Sequence, residues 1–186
     1  MNVYDFDKTI YSGDSTLDFY LFCLRRHPQV ILCLPKQLGA AIRYKMRKIE
    51  KKKFKEVFYS FLTKLNNVDE DVQLFWNSHK GKVKTWYKEQ QKQDDVIISA
   101  SPEFLLSEIS SRIGIRNLIA SKVDKKTGLC LSENCYGEEK VKRFNEVFPT
   151  DVIDNFYTDS YSDLPMLQKS IKGYIVSGDC IKSWNS

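Results

Sequence analysis

The sequence predicts an α/β fold: a parallel sheet flanked by helices, with an all-helical segment inserted after the first strand. Three observations predict it. A short apolar run, Asn2 to Asp5, ends in a carboxylate and feeds a turn region, Lys8 to Ser15, that contains Gly13. From Lys92 onward, β-branched runs alternate with helical stretches, as the elements of a parallel sheet do. Asp7 and Ser99 are 92 residues apart, several times the dozen or more that one crossover needs, so an extra lobe belongs between them.

Asn2 to Asp5 is the first strand. From Thr16 to about Trp86 the apolar residues take helical spacing, with Phe54, Val57, Phe58, Phe61, Leu62 and Leu65 on one face. Pro28, Pro35 and Asn66-Asn67 break this block into three or four helices. Residues 15–80 are assigned to the helical lobe, and residues 1–14 with 81–186 to the α/β core. Val96 to Ser99 is the next strand. Ser101 is placed as the N-cap and Pro102 as the first residue of a helix carrying Phe104, Leu105, Leu106, Ile109 and Ile113. Asn117 to Ala120 reads as a short strand, and Lys122 to Tyr136, centred on Lys125-Lys126-Thr127-Gly128, as a β-hairpin. Gly137 to Phe148 is helical, Val152 to Tyr157 a strand, Leu164 to Ser170 a short helix and Gly173 to Val176 the last strand.

A length of 186 residues, 42% hydrophobic and 28% charged, describes one globular unit with a modest insertion and excludes a fibrous or disordered chain. Five scattered cysteines without a C-x-x-C pair support neither a disulfide framework nor a zinc knuckle, and point to a reducing compartment. The first ten residues carry acids where a signal peptide has a basic head and an apolar stretch. The longest apolar run in the basic region, Val30 to Pro35, is far short of the ~20 residues that span a bilayer. A cytoplasmic protein that does not cross a membrane is expected.

The net charge of +5 is unevenly placed. Arg25 to Lys55 holds eleven basic residues against Glu50 alone, so this segment is +10 and the remainder −5. Such a field draws anions. The segment fits peripheral contact with an anionic membrane surface as well as an ordinary solvated helix face. No nucleic-acid partner is expected, because no binding module accompanies the charge and the acidic body repels phosphates.

In parallel α/β sheets, reactive groups collect outside the carboxyl ends of the strands. Asp5 and Asp7 follow the first strand, Ser99 the second, Lys140 opens a helix, and Asp159 with Asp163 follows the strand ending at Tyr157. Each alone has a structural explanation as a cap or surface charge; together they make a constellation. Carboxylates gathered at one sheet edge repel one another unless a cation joins them. With only oxygen donors at hand, Mg²⁺ is the favoured ion. A carboxylate beside such an ion is also a competent nucleophile toward phosphorus.

DFDKT at Asp5 to Thr9, VIIS at Val96 to Ser99, the lysine of GEEKVKRF at Lys140 and TDSYSD at Thr158 to Asp163 resemble the four ordered motifs of the haloacid dehalogenase superfamily. The similarity is to its phosphoserine-phosphatase-like branch and covers essentially the whole chain. It implies a Rossmann-like core with a helical cap between motifs one and two. It further implies that Asp5 is the nucleophile and Asp7 the general acid and then base. Asp5, the main-chain carbonyl of Asp7 and Asp159 would ligate Mg²⁺, with Asp163 behind them or reaching the ion through water. Ser99 and Lys140 would hold the transferring phosphoryl oxygens, and Thr9 would steady the first loop. Asp14, with Arg43 or Arg47, would read the substrate's amino and carboxyl groups.

The implied reaction is hydrolysis of a small phosphomonoester such as phosphoserine through an aspartyl-phosphate. A phosphorylated lipid headgroup at a membrane surface is the alternative substrate. Two departures stand out: Ala100-Ser101 replaces the glycine pair that usually follows the motif-two serine, and Thr158 replaces the glycine before the motif-four acid. A receiver-like signalling domain shares the Asp, Ser and Lys inventory, but it has no helical insertion and no need of Asp7.

Overall fold

The computed structural model describes residues 1–184. Its centre is a six-stranded sheet of β1 (Asn2–Tyr4), β2 (Val96–Pro102), β3 (Asn117–Ser121), β4 (Asn155–Thr158), β5 (Lys172–Ser177) and β6 (Cys180–Ser183). The spatial order is β3-β2-β1-β4-β5-β6, with β1 to β5 parallel and β6 antiparallel at the edge. Strand order reverses beside β1, which opens a crevice at the carboxyl ends of β1 and β4. Three tyrosines in register across β1, β4 and β5 stack into a ladder, with Tyr157 centred 4.8 Å from Tyr4 and 4.6 Å from Tyr174.

Alternation along the strands divides the core into two layers. Tyr4 and Ile97 point to one side, and Val3, Val96 and Ile98 to the other. The second side is covered by α7 (Glu138–Val147) and α8 (Leu164–Lys169) through Phe144, Met166 and Leu167. The first is covered by α6 (Glu103–Arg112) and by the long segment between β1 and β2. That segment holds α1 (Ser15–Arg26), α2 (Leu34–Lys45), α3 (Lys51–Tyr59), α4 (Val68–His79) and α5 (Thr85–Gln90), joined by 3-10 segments except between α2 and α3, where a turn connects them. Phe19, Phe61, Phe75 and Trp76 pack with Phe6, Tyr11, Leu105 and Leu106 in one apolar cluster. The Trp76 indole N–H donates to the Leu105 carbonyl at 2.7 Å. Each large apolar side chain buried there stabilises the fold by roughly 2–3 kcal/mol, so the insertion is tied to the sheet by its own core. Among the described residues, no helix is long and apolar enough to cross a membrane.

Three elements differ from expectation. β2 runs on through Pro102 with an irregular register after Ser99, and Ser101 caps no helix, because its hydroxyl is turned toward Asp7. Lys122 to Tyr136 holds only a minimal hairpin: an antiparallel bridge between Val123 and Cys130, with the Asp124 N–H donating to the Leu129 carbonyl and the Leu131 N–H to the Lys122 carbonyl, each at 2.9 Å, and no longer strands. The Asp124 side chain accepts from the N–H groups of Lys126 and Thr127 in that turn. Gly128 there has φ +76°, and a Cβ on it would lie 2.5 Å from the Tyr59 carbonyl, so the turn packs against the insertion rather than extending the sheet. β6 is additional. Its two-residue loop, Gly178-Asp179 with φ +58° at the glycine, is a hairpin signal readable in the sequence.

Candidate active site

The first loop is built to present two carboxylates. The Asp5 N–H still donates to the Tyr157 carbonyl at 2.9 Å, so the residue remains tied to the sheet. Lys8 takes φ +57°, a costly left-handed conformation for a side-chain-bearing residue, and turns the chain back. Main-chain bonds from Lys8 to Gly13 and from Ile10 and Tyr11 to Phe6 close the turn. The Lys8 carbonyl also accepts from the buried ammonium of Lys84 at 2.9 Å, and that ammonium donates again to the Gly178 carbonyl. Lys84 thus braces the strained turn, a role no motif announced. Thr9 is fully buried beneath the loop, and its hydroxyl has no hydrogen-bond partner, so it contributes packing.

Asp5, Asp7, Asp14, Ser99, Lys140, Asp159 and Asp163 line one cavity of about 460 Å³. Lys140, buried on the first turn of α7, donates to Asp5 Oδ1 at 2.8 Å and Asp163 Oδ2 at 2.7 Å. Burial opposes its charge, but the Asp5 and Asp163 carboxylates outweigh burial and hold the ammonium well above the ordinary lysine value. Thr158 Oγ1 donates to Asp163 Oδ2 at 2.9 Å, while Asp163 Oδ1 is buried without a partner. Burial pushes the Asp5 carboxyl up to about 7, against the pull of Lys140 and with repulsion from Asp163 and Asp7.

Asp7 is held from two sides. Its Oδ1 accepts from the Ser15 N–H at 2.6 Å and its Oδ2 from the Ser101 hydroxyl, which in turn contacts Thr16 Oγ1 at 2.8 Å. Burial, then repulsion from Asp14, pushes Asp7 up to about 6 despite these bonds. Burial also raises Asp159, against the pull of Lys8. Ser99 is buried, and its hydroxyl accepts from the Ser101 N–H at 3.1 Å.

The family model of the haloacid dehalogenase-like hydrolases matches residues 3–168, and the acids and lysine just described fall inside that span. The chain belongs to this family. Among curated proteins, no sequence relative is found. A protein of unknown function from Bordetella pertussis Tohama I shares the fold at TM-score 0.76 and 17% identity, over 93% of this chain and 87% of that one. A phosphoserine phosphohydrolase-like protein from Francisella tularensis gives TM-score 0.56 and 14% identity over 93% and 86%. A probable phosphoserine phosphatase from Vibrio cholerae gives 0.58 and 10% over 92% and 55%. This haloacid dehalogenase-like hydrolase therefore shares its fold with proteins described as phosphoserine-phosphatase-like.

The structure does not bring Arg43 and Arg47 to the cavity. Arg43 is exposed on α2, and Arg47, at φ +56°, turns the chain toward α3. The basic residues that the insertion places on the wall are Lys51 and Lys55, one helical turn apart on α3, beside Phe54, Phe58 and Tyr59. Their i, i+4 spacing next to aromatic residues was the available signal, but lysines in a run of lysines read as a solvated face. Asp14 lines the cavity and also caps α1, accepting from the Leu17 N–H at 2.9 Å.

Three lysines of α3 fasten the insertion to the core. Lys51 Nζ lies 3.4 Å from the centre of the Tyr136 ring, and Lys52 is 3.3 Å from Glu133. Lys55 donates to the Ala100 carbonyl at 2.8 Å and to Asn134 Oδ1. Burial pushes Lys55 down to about 8, a shift that Cys130 opposes and Lys51 reinforces. Between pH 8 and the unfolded lysine value near 10.4, the unfolded chain binds more protons, so folding stability from this group rises with pH. In urea unfolding, the wild type should gain about 3 kcal/mol relative to Lys55→Met between pH 7 and pH 10.5. A pH-independent difference would show that Lys55 is not buried as an ammonium.

Asp5 and Asp159 line the cavity with carboxylates, oxygen donors that could hold a cation. Among the described residues, no group of three or more His, Cys, Asp or Glu side chains is assembled as a metal site. A two-carboxylate set suits a hard cation that keeps several waters.

Proposed function

We propose that the chain is a Mg²⁺-dependent phosphomonoesterase that works through an aspartyl-phosphate on Asp5. The observation that carries this reading is the buried Lys140 ammonium shared by Asp5 and Asp163, with the Asp7 carboxyl facing the same cavity. An Asp5 oxygen attacks phosphorus while Lys140 and Ser99 hold the equatorial oxygens, where charge must be stabilised. Asp7 gives its proton to the leaving alkoxide; a pKa raised to about 6 keeps part of it protonated near neutrality. Asp7 then takes a proton from water, whose oxygen attacks the phosphorus and releases inorganic phosphate from Asp5. Asp5, Asp159 and the Asp7 carbonyl would hold Mg²⁺, which when bound offsets the repulsion between the anionic phosphate and the carboxylates.

Residues 15–80 act as the cap that excludes water, over a core of residues 1–14 and 81–186, of which 185 and 186 lie outside the described residues. A small phosphomonoester such as phosphoserine fits the reading, with the Asp14 carboxylate available to an ammonium group and Lys51 to a carboxylate. Five free thiols suit a cytoplasmic enzyme. With Mg²⁺, the protein should release many equivalents of phosphate from an aryl phosphate and from phosphoserine, and chelation should stop both. Release of one equivalent or none from the aryl phosphate would overturn the reading; turnover of the aryl phosphate alone would overturn phosphoserine.

A further inference from the structure

α2 is amphipathic in the opposite sense from a helix on a water-facing surface. Its buried side holds Gln37 and Ala40, with Cys33 just before it. Gln37 is fixed there by the Tyr20 hydroxyl and the Phe58 carbonyl, both at 2.8 Å. At 3.6 residues per turn, the opposite stripe is Pro35, Leu38, Gly39, Ile42 and Met46. None of it is polar, and all of it faces out. Leu38 and Ile42 are each 61% exposed and Met46 56%, and the preceding turn adds Ile31 at 56% and Leu32 at 72%. Single exposed apolar residues need no explanation, but a stripe along a whole helix does.

Charge identifies the occupant. Lys36, Arg43, Lys45, Arg47 and Lys48 rim the stripe, and among the described residues none of the five forms an ion pair. Glu50 is the one acid from Arg25 to Lys55. A second copy packed symmetrically on this face would set these cations against their own counterparts. A bilayer with anionic headgroups meets both demands, apolar depth for the stripe and negative charge for the rim.

We propose that the outward face of α2 docks on an anionic lipid bilayer. The face lies one helix from the cavity, since Tyr44 of α2 stacks on Phe54 of α3 at 5.1 Å and Phe54 lines the wall. The inference does not depend on the phosphatase reading. The full chain should pellet with phosphatidylcholine vesicles containing about one-third phosphatidylglycerol and stay in solution with phosphatidylcholine alone. Leu38→Asp with Ile42→Asp should lower the pelleted fraction by about tenfold or more, with an unchanged circular dichroism spectrum, because both side chains are already in water. Wild-type protein that stays in solution with both vesicle types, pellets equally with both, or pellets as well after the double substitution would each overturn the proposal. A wild-type dimer in sedimentation velocity that the substitutions dissolve, without vesicle binding, would reassign the face to self-association.

Discussion

Asp5→Asn is expected to abolish phosphate release from an aryl phosphate, by about 10⁴-fold or more in kcat, because the amide cannot attack phosphorus and no neighbouring group replaces it. The fold should survive. Burial and the nearby Asp163 and Asp7 already disfavour the Asp5 charge, and Lys140 keeps its bond to Asp163 when Asp5 is neutralised. Thermal unfolding of the variant should therefore occur at or above the wild-type temperature. An Asp5→Asn protein with wild-type turnover would refute nucleophilic catalysis by this residue. Loss of activity together with loss of the folding transition would instead mark Asp5 as structural.

Lys140→Met is the second large effect, and it acts on stability and chemistry together. Removing the ammonium leaves Asp5 and Asp163 buried without their shared counter-charge, which costs about 3–5 kcal/mol when one partner of a buried pair is deleted. On the proposed mechanism the same change also removes the cation that holds the phosphoryl oxygens, and it should lower kcat by about 10²- to 10³-fold. The two effects separate when the double variant Lys140→Met with Asp163→Asn is compared with Asp163→Asn alone. Neutralising Asp163 should restore much of the stability measured in urea while turnover stays low. Recovery of turnover along with stability would show that Lys140 serves the fold alone.

Much of this arrangement was legible before any coordinates. The central strand and its acids could be read because an apolar run ending in DFDKT leaves a buried strand and a polar loop little alternative. The 92-residue gap between Asp7 and Ser99 demanded an insertion, and the helical periodicity of Phe54 to Leu65 showed its class. Less legible were features in which a side chain answers to a distant neighbour. Ser101 has the local pattern of an N-cap, yet its hydroxyl bonds to Asp7, 94 residues away. Lys84 looks like a surface lysine, yet it holds the Lys8 carbonyl across 76 residues. The turn around Gly128 closes a short hairpin, but that its glycine lies against the Tyr59 carbonyl of the insertion could not be read from the sequence.

By itself, the sequence determined the α/β class, the helical nature of the insertion and the identity of the acids and lysine that meet at the sheet edge. These follow from periodicity and from residue chemistry at strand ends, which are local properties of the chain. Only the tertiary structure decided that Lys51 and Lys55, rather than Arg43 and Arg47, face the cavity, and that α2 turns its apolar side outward. A helix rotated by half a turn has the same periodicity and the same composition. Which face is buried is settled by what it packs against, here Tyr20 and the Phe58 carbonyl on Gln37 and the Ala100 carbonyl on Lys55.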